Sequence, residues 1–578
     1  MKIVFVNPYC LDPRIQDHDV RIPPIGLYYL ASTLIQLGHD CTILNWSSMQ
    51  NQQGLMEQEL RRLSPDIVAI SILHANRWGG IDIARLSKKI CPERPVIFGG
   101  PGATFVWQHL LANFQEIDAI VMGEGENTMA ELVQTIETKG FSDLESIAGL
   151  AFRRHGVPQK TAERPFIQDL DTLPDPSLHF SFQHVISSRG CPWNCAFCGS
   201  PKIWRRTVRF HSSNYFVTQL ARLNKQGQNF FFVSDDTFTL KKDRVISICK
   251  GIIDANLSIE WAAISRVNIV DEEILYWMRR AGCIQISYGV ESGSARIRKI
   301  LNKNITDKEI HRAFRLTKSY GIMPRAYFIY GSPGENKETI NESVKLIKKI
   351  GPLGAIFYIL DIFPGTRLYD DFKKRFGKDD DIWLKKIEDI MYFETDPKID
   401  QKKILKYGKT LRKAFYSSLP SFAMNLELKN TPELAPYHAA FLSRLGMTFA
   451  FGDYSRIRQI PNKSETAIKL FQRALTMFPD HRAFLGLAIM YQKKGEHLEA
   501  IQIIQKGLRH FPHSEQLCGC IGVSYMNLGK LKEAIHFFTK GRPSLQNLQY
   551  ALNCAKTLGN RQLCLKIEKQ IKEMNQAC

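Results

Sequence analysis

No stretch of this sequence approaches the roughly 18 consecutive apolar residues that a membrane-crossing helix needs, so a membrane-spanning protein is not expected. The opening residues, MKIVFVNPYC, run straight into a strand pattern with no basic leader or cleavage site, which favours a cytoplasmic protein. The thirteen cysteines lack framework spacing, and an odd, scattered set argues against a secreted disulfide scaffold. A GxGxxG turn after the first strand is also missing, which makes a nicotinamide dinucleotide a poor fit. Nor is the composition extreme: 44% hydrophobic and 23% charged residues leave no case for wholesale disorder. The net charge of +20 would suit nucleic acid or an anionic surface. Its basic residues, however, are spread over every segment, as in RRLNK, KKDR and KKRFGK, and that is the pattern of a solvated surface. With 578 residues the chain exceeds a single core, and three or four domains are expected.

What is present is organised around Ser188 to Pro201, which reads SRGCPWNCAFCGSP. Three thiolates on one short loop, Cys191, Cys195 and Cys198, can ligate three irons of a cubane iron-sulfur cluster and leave the fourth iron open. Structural zinc usually asks for a fourth protein ligand, and iron-sulfur proteins that only carry electrons normally supply four thiolates. Spacing alone leaves a zinc loop or three unrelated core thiols as alternatives.

Residues 1–140 alternate short apolar runs (KIVFVN, CTILNW, PDIVAISIL, PVIFGG, AIVMGEGE) with helical patterns, the rhythm of a doubly wound parallel sheet. Ligands of such sheets bind beyond the carboxyl ends of the strands. Those ends carry Ser71, Gly99, Gly100, Thr104, Gly123, Glu124, Gly125 and Glu126, and glycines there admit a large ligand close to the backbone. A connector with a small hairpin occupies 141–180. From 181 to 375 the alternation resumes, with six parallel strands expected as a partial (β/α)6 barrel that presents Asp235, Ser265, Arg266, Gly289, Glu291 and Gly331 at its strand ends. A zwitterionic nucleoside needs a cation, an anion and close-approach glycines, and this set offers all three.

The CxxxCxxC loop, with Phe197 before its last cysteine and Gly199 after it, resembles the cluster motif of the radical S-adenosylmethionine (SAM) enzymes. The order PPIGLYYLAS, GGPGAT and GEGE ahead of that loop resembles the cobalamin-binding domain of the cobalamin-dependent members, a likeness covering residues 1 to about 370. The resemblance implies a 4Fe-4S cluster on Cys191, Cys195 and Cys198, with SAM on the open iron. It turns Phe197 toward the adenine, Arg266 toward the SAM carboxylate, and places Glu291, Asp235, Ser265, Gly289 and the Gly331 turn around SAM. It also puts cobalamin at the eight strand-end positions named in the first sheet. The DxHxxG motif that gives cobalt a histidine elsewhere is absent, and His74 lacks the flanking Asp and Gly, so no histidine ligand is expected from this domain.

A helical extension covers 376–444, and 445–578 reads as all-α repeats. Ala467, Ala500 and Ala534 recur at 33 and 34 residues and Gly495 and Gly529 at 34, a period that resembles tetratricopeptide repeats. These supply no chemical constellation and suggest either packing on the barrel or docking of a partner protein. The function expected from the resemblance is methylation of an unactivated carbon of a small-molecule substrate through a 5'-deoxyadenosyl radical, fed by an electron donor such as flavodoxin or ferredoxin. A non-methylating cyclase or rearrangement enzyme of the tetrapyrrole type is the alternative. An RNA-modifying methylthiotransferase ranks lower, since the extra cysteine triplet of that family and a basic RNA-binding module are missing, and nucleic acid is not an expected partner. A scaffold without catalysis is disfavoured by the intact cysteine motif.

Overall fold

The computed structural model describes residues 1–11, 22–395 and 400–577. They form two compact units, one of Met1–Ile310, Ala326–Lys345 and Ile356–Leu411, the other of His311–Arg325, Leu346–Ala355 and Arg412–Cys578.

In the first unit, β1 (Lys2–Asn7), β2 (Asp40–Asn45), β3 (Ile67–Ser71), β4 (Val96–Gly99), β5 (Ala119–Val121), β6 (Leu150–Arg154) and β7 (Val157–Lys160) make one sheet in the order β2-β1-β3-β4-β5-β6-β7. The first five are parallel, and β6 and β7 join antiparallel. Both faces are covered, which is why these strands read as unbroken apolar runs. Val4, Val6, Val68, Ile70 and Phe98 pack on one side with the helix Arg77–Ile90, while Ile3, Phe5, Ile67 and Ile97 pack on the other with Ile25–Gln36 and Glu126–Lys139. The hairpin expected in a connector is instead the far edge of this sheet. Leu150 and Ala151 are fully buried, and β6 covers the edge that β5 would otherwise expose, so the first domain runs to about residue 160 rather than 140.

The second sheet contains β8 (His184–Val185), β11 (Phe230–Val233), β12 (Glu260–Ser265), β13 (Cys283–Glu291), β14 (Met323–Tyr330) and β15 (Gly354–Ile359), in the order β15-β14-β13-β12-β11-β8. β8 pairs with β11, β11 with β12 and β12 with β13, all in parallel, as a partial barrel requires. Between β8 and β11, a separate ribbon of β9 (Ser188–Arg189) and β10 (Arg209–Phe210) pairs antiparallel and closes the base of the cysteine loop.

The second unit includes helices at Ala435–Ala450, Asp453–Arg456, Lys463–Met477, His481–Lys493, His497–His510, Glu515–Asn527, Leu531–Phe538, Leu545–Thr557 and Arg561–Ala577. Ala467, Ala500 and Ala534 are fully buried, and Gly495 and Gly529 take the left-handed turns (φ +79° and +72°) that let one helix fold back on the next. The boundary lies earlier than the expected residue 445. The helix Ala435–Ala450 begins inside the expected extension and carries Gly446 so close to Phe471 that an added Cβ would stand 2.7 Å from its ring, and the second unit takes in the chain from Arg412 on, so the end of the expected extension belongs to the helical core. Among the described residues no helix is long and apolar enough to cross a membrane.

Candidate active site

The cysteine loop leaves the β9/β10 ribbon at Gly190, whose φ of +100° and close approach to the Thr207 carbonyl leave no room for a side chain. Its backbone is braced from two sides. Ala196 N–H donates to Leu301 O (2.9 Å), Leu368 N–H donates to Ala196 O (3.1 Å), and the Asn302 side-chain amide donates to Asn194 O (2.5 Å). Cys191, Cys195 and Cys198 are reduced and half-buried. Burial pushes the Cys198 thiol up to about 12, so a thiolate there needs a metal charge beside it. Among the described residues no three His, Cys, Asp or Glu side chains converge tightly enough to hold one ion. A cubane spreads its irons, each taking its own sulfur, and three thiols on one fixed loop match that donor set.

Arg266, at the end of β12, is buried with its guanidinium 4.2 Å above the Trp193 ring and Nη1 3.7 Å from Cys195 Sγ. That puts a fixed positive charge against the cluster loop, where a carboxylate bound to an open iron would need one. Glu291 ends β13 with φ of +65°, a left-handed conformation unusual for a side-chain-bearing residue, and its Oε1 accepts from Lys303 Nζ at 2.8 Å with both side chains buried. Gly289 makes room for that pair, since an added Cβ would lie 2.3 Å from Glu291 Oε1 and 2.6 Å from Lys303 Nζ. Ser265 is buried against Thr239. Gly331 donates its N–H to Glu335 Oε2 at 2.5 Å, closing the GSPGE turn, and Phe197 packs into a cluster that includes Leu301, Ile362 and Tyr369.

One expected SAM residue is reassigned. Asp235 is fully buried and accepts four hydrogen bonds, from the N–H and hydroxyl groups of both Ser187 and Ser188, so its carboxylate is committed to the strand that leads into the cysteine loop. Asp236 next to it is exposed, takes a bond from Ser200 Oγ (2.8 Å) and lines the adjoining cavity.

That cavity, of about 320 Å³, enters the first domain at the carboxyl ends of its strands. Ser71, Gly99, Gly100, Gly123, Glu124, Gly125 and Glu126, seven of the eight expected cobalamin positions, line it, and it runs inward between apolar side chains such as Leu30 and Met129. Gly100 has φ of +85° and an added Cβ would meet the Ile72 carbonyl at 2.7 Å, so the turn after β4 requires glycine. Thr104 stands behind the wall. Its hydroxyl donates to Gly100 O (2.9 Å) and accepts from Gly123 N–H (3.0 Å), tying the ends of β4 and β5 together. A glycine-rimmed cavity with an apolar interior fits a bulky cofactor such as cobalamin. His74 is not on the wall. It lies half-buried with its ring 4.2 Å from Trp383 and Nδ1 3.1 Å from Arg77 Nη1, and desolvation, with the Arg77 charge beside it, lowers its pKa well below the ordinary value.

The far wall of the same cavity comes from the cluster side, through Ser188, Gly190, Trp204 and Asp236. A buried charge cluster joins the two sides. Arg189 Nη1 and Arg209 Nη1 reach Glu124 at 2.8 and 2.7 Å, Arg189 Nη2 reaches Glu126 at 2.7 Å, and Glu124 also accepts from Ile167 N–H at 2.7 Å. Burial alone would lower the Arg189 pKa, but the carboxylates of Glu126 and Glu124 outweigh it and hold the guanidinium charged. Arg189 and Arg209 face each other in the β9/β10 ribbon, so the base of the cysteine loop is anchored to the turn after β5. Trp193, Lys303, Arg189, Arg209 and the inward role of Asp236 were missed in the sequence. Only Trp193, inside the cysteine motif, carried a local signal.

The Radical SAM superfamily family matches residues 185–347 and the B12 binding domain family matches residues 18–133. An uncharacterized methyltransferase of Pyrococcus horikoshii is 34% identical over 60% of this chain and 78% of its own length. The anaerobic magnesium-protoporphyrin IX monomethyl ester cyclase of Cereibacter sphaeroides is 28% identical, over 64% of each chain. Among solved structures, the cobalamin-dependent S-adenosylmethionine radical enzyme OxsB, with aqua-cobalamin and S-adenosylmethionine bound, shares the fold at a TM-score of 0.53 and 17% identity, covering 96% of this chain and 83% of that one.

Proposed function

The chain belongs to the radical SAM superfamily and carries a B12-binding domain ahead of its cluster domain, and from that premise we propose that it methylates an unactivated carbon of a small-molecule substrate. The observation that carries the reading is the single cavity whose walls come from both the glycine turns of the first sheet and the base of the cysteine loop. Both cofactors would therefore open into one space. When bound, the cluster, SAM and cobalamin supply a 5'-deoxyadenosyl radical and a transferable methyl group.

The protein's own contribution is to hold, orient and shield. Cys191, Cys195 and Cys198 would hold three irons, and Arg266 would take the SAM carboxylate while stacked on Trp193. Glu291, fixed by Lys303, would meet the SAM ribose or amine, and Asp236 would supply the polar group at the shared wall. The Arg189/Arg209 to Glu124/Glu126 cluster would keep the two cofactor sites at one spacing, which matters because reacting atoms must sit within about 3 to 3.5 Å. Electrons would come from a small donor such as flavodoxin or ferredoxin, and the helical repeats would serve a partner protein or stability.

The similarity to the cyclase of Cereibacter sphaeroides favours a second reading, ring closure without methylation. Anaerobic incubation of the reconstituted protein with methyl-deuterated SAM, hydroxocobalamin, a reductant and a small-molecule extract of host cells separates the two, because every methyl group must then come from SAM. Methylation predicts S-adenosylhomocysteine and 5'-deoxyadenosine in equal amounts, with a product carrying the labelled methyl. Formation of 5'-deoxyadenosine with neither would leave the cyclase reading.

A further inference from the structure

The cavity of the first domain has two zones. At its mouth the strand ends and the cluster-side wall bring polar groups, Ser71, Ser188, Ser234 and Asp236, with Glu124 and Glu126 held by their arginines. Its inner end is lined by Phe5 on β1, Ala69 on β3, Ile97 on β4 and Val121 on β5, faced by Leu27 and Met129 of the two covering helices. The four strand residues stand two positions before Asn7, Ser71, Gly99 and Gly123, so alternation puts them on one face of the sheet, about 6 to 7 Å below the rim. All six belong to one buried core cluster. The inner end is therefore a gap in the hydrophobic core itself, floored by the sheet and roofed by helices.

A small residue in the middle of the row makes the gap. Phe5 lies opposite Ala69 and Ala69 opposite Ile97, so a single methyl group stands between two large neighbours. Gly125 keeps the way in open, since an added Cβ would stand 3.0 Å from Val121 Cγ1 and 3.4 Å from Leu30 Cδ2. At about 320 Å³ the cavity is too small for a whole cobalamin, whose corrin ring with its fringe of amides suits the polar mouth. A narrower flat group can enter, and the cofactor carries one in the base of its nucleotide tail.

We propose that this inner pocket selects which cobamide the protein accepts, taking a benzimidazole as the lower base and disfavouring a purine. The inference rests on the cofactor assignment alone and does not depend on whether the reaction is a methylation. Lower bases differ most in the six-membered ring, the part that enters first. In 5,6-dimethylbenzimidazole that ring carries only methyl groups, whereas in adenine it contains two nitrogens and bears an amino group. Of the six side chains none has a donor, and the weak thioether of Met129 is their one acceptor, while the backbone of these parallel strands is engaged in its own ladder. A purine in this pocket would leave its polar atoms dry and unpaired, and that penalty becomes discrimination between cobamides.

The test is equilibrium ultrafiltration of the full-length, cluster-loaded protein with cobalamin or with adeninylcobamide, run anaerobically without SAM and with titanium(III) citrate to hold both as cob(I) species. The base of either cobamide is then already detached from cobalt, so the ratio of affinities reports the pocket. Cobalamin is expected to bind about tenfold more tightly or better. Met129→Gln, which places a donor and an acceptor inside, is expected to narrow that ratio about threefold or more. Ala69→Leu, which fills the gap, is expected to weaken cobalamin about tenfold or more while leaving cobinamide, which has no nucleotide, within about twofold of wild type. The iron content of both variants reports that the barrel is intact. Equal affinity of the wild-type protein for the two cobamides overturns the proposal, as does a ratio that Met129→Gln leaves unchanged or an Ala69→Leu variant that loses cobinamide as well. Binding of neither cobamide overturns it together with the cofactor assignment. The expected ratio in a protein that transfers no label from methyl-deuterated SAM to any product upholds the pocket and removes the methylation reading.

Discussion

The two sheets of the first unit present opposite kinds of strand end. Beyond β3, β4 and β5 the chain turns on Gly99, Gly100, Gly123 and Gly125 around an apolar cavity, and the carboxylates there, Glu124 and Glu126, are already neutralised by Arg189 and Arg209. Beyond β12 and β13 the ends are built from charge, with Arg266 over Trp193 and Glu291 against Lys303. The difference follows from what each must hold. A large, nearly neutral ring system is retained by room, backbone approach and apolar burial, whereas a zwitterion is retained only where opposite charges stand ready and pre-oriented. Removing parts from each side separately should therefore strip one cofactor and spare the other.

The largest expected effect is on the charged side. Anaerobically reconstituted protein should carry about four irons per chain, and Cys191→Ala, Cys195→Ala or Cys198→Ala should each bring iron close to zero while cobalamin remains bound. Iron and sulfide analysis beside the cobalamin spectrum checks this. A full cluster in any of the three variants would refute the ligand assignment, and loss of cobalamin as well would erase the distinction between the two ends.

Glu124→Gln tests the joint between them. Removing the charge leaves Arg209 facing a neutral amide and Arg189 paired with Glu126 alone, and breaking a buried pair of this kind costs about 3 to 5 kcal/mol. Denaturant unfolding should show that loss, and both cofactors should be bound more weakly because the base of the cysteine loop and the turn after β5 lose their common anchor. A variant that loses only cobalamin would mean that the joint serves one side.

Much of this division was legible in the sequence, for reasons that can be stated residue by residue. Parallel strands covered on both faces leave unbroken apolar runs, so β1 to β5 and β11 to β15 stood out, and ligand-end glycines follow such runs directly. The hairpin β6/β7 was seen but misplaced, because nothing in LAFRRHG says which sheet edge it will pair with. Asp235 and Asp236 were indistinguishable as letters. Which one faces the cavity depends on Ser187 and Ser188, some 47 residues away along the chain. Lys303 was invisible for a related cause, since its charge is matched by Glu291 only after β13 and the segment behind it fold together. Charge pairing is a property of tertiary structure, and the glycine side, which depends on local backbone, was read more completely than the charged side.

Gly100→Ala sharpens the glycine side. The added methyl meets the Ile72 carbonyl at 2.7 Å in a backbone conformation of φ +85°. Strain and overpacking of this kind cost on the order of 2 to 4 kcal/mol together. Cobalamin affinity should fall at least tenfold with iron content unchanged. Equal loss of iron would show that the turn after β4 supports the cysteine loop too.

The smallest effect expected is one of pH, and it belongs to the charged side alone. Burial raises the Glu335 carboxyl from its ordinary 4.5 to about 7, against the N–H groups of Gly331 and Ser332, which favour the charged form. Its Oε1 is buried without a hydrogen-bond partner among the described residues. Between these two pH values the folded protein keeps a proton that the unfolded chain has released, so the contribution of this group to stability falls as pH rises from about 4.5 to 7 and is level above that. The full effect would be about 3 kcal/mol, and we expect 1 to 2 of it to be realised after relaxation around the turn. Glu335→Gln keeps an acceptor for the Gly331 N–H and has no proton to lose, so relative to wild type it should gain about 1 to 2 kcal/mol between pH 5 and pH 8. Chemical denaturation of both proteins across that range measures the difference directly, with the other titrating groups common to both. Parallel stability curves would show that Glu335 is ionised in the folded protein throughout, and that the GSPGE turn holds a carboxylate as readily as Lys303 holds Glu291.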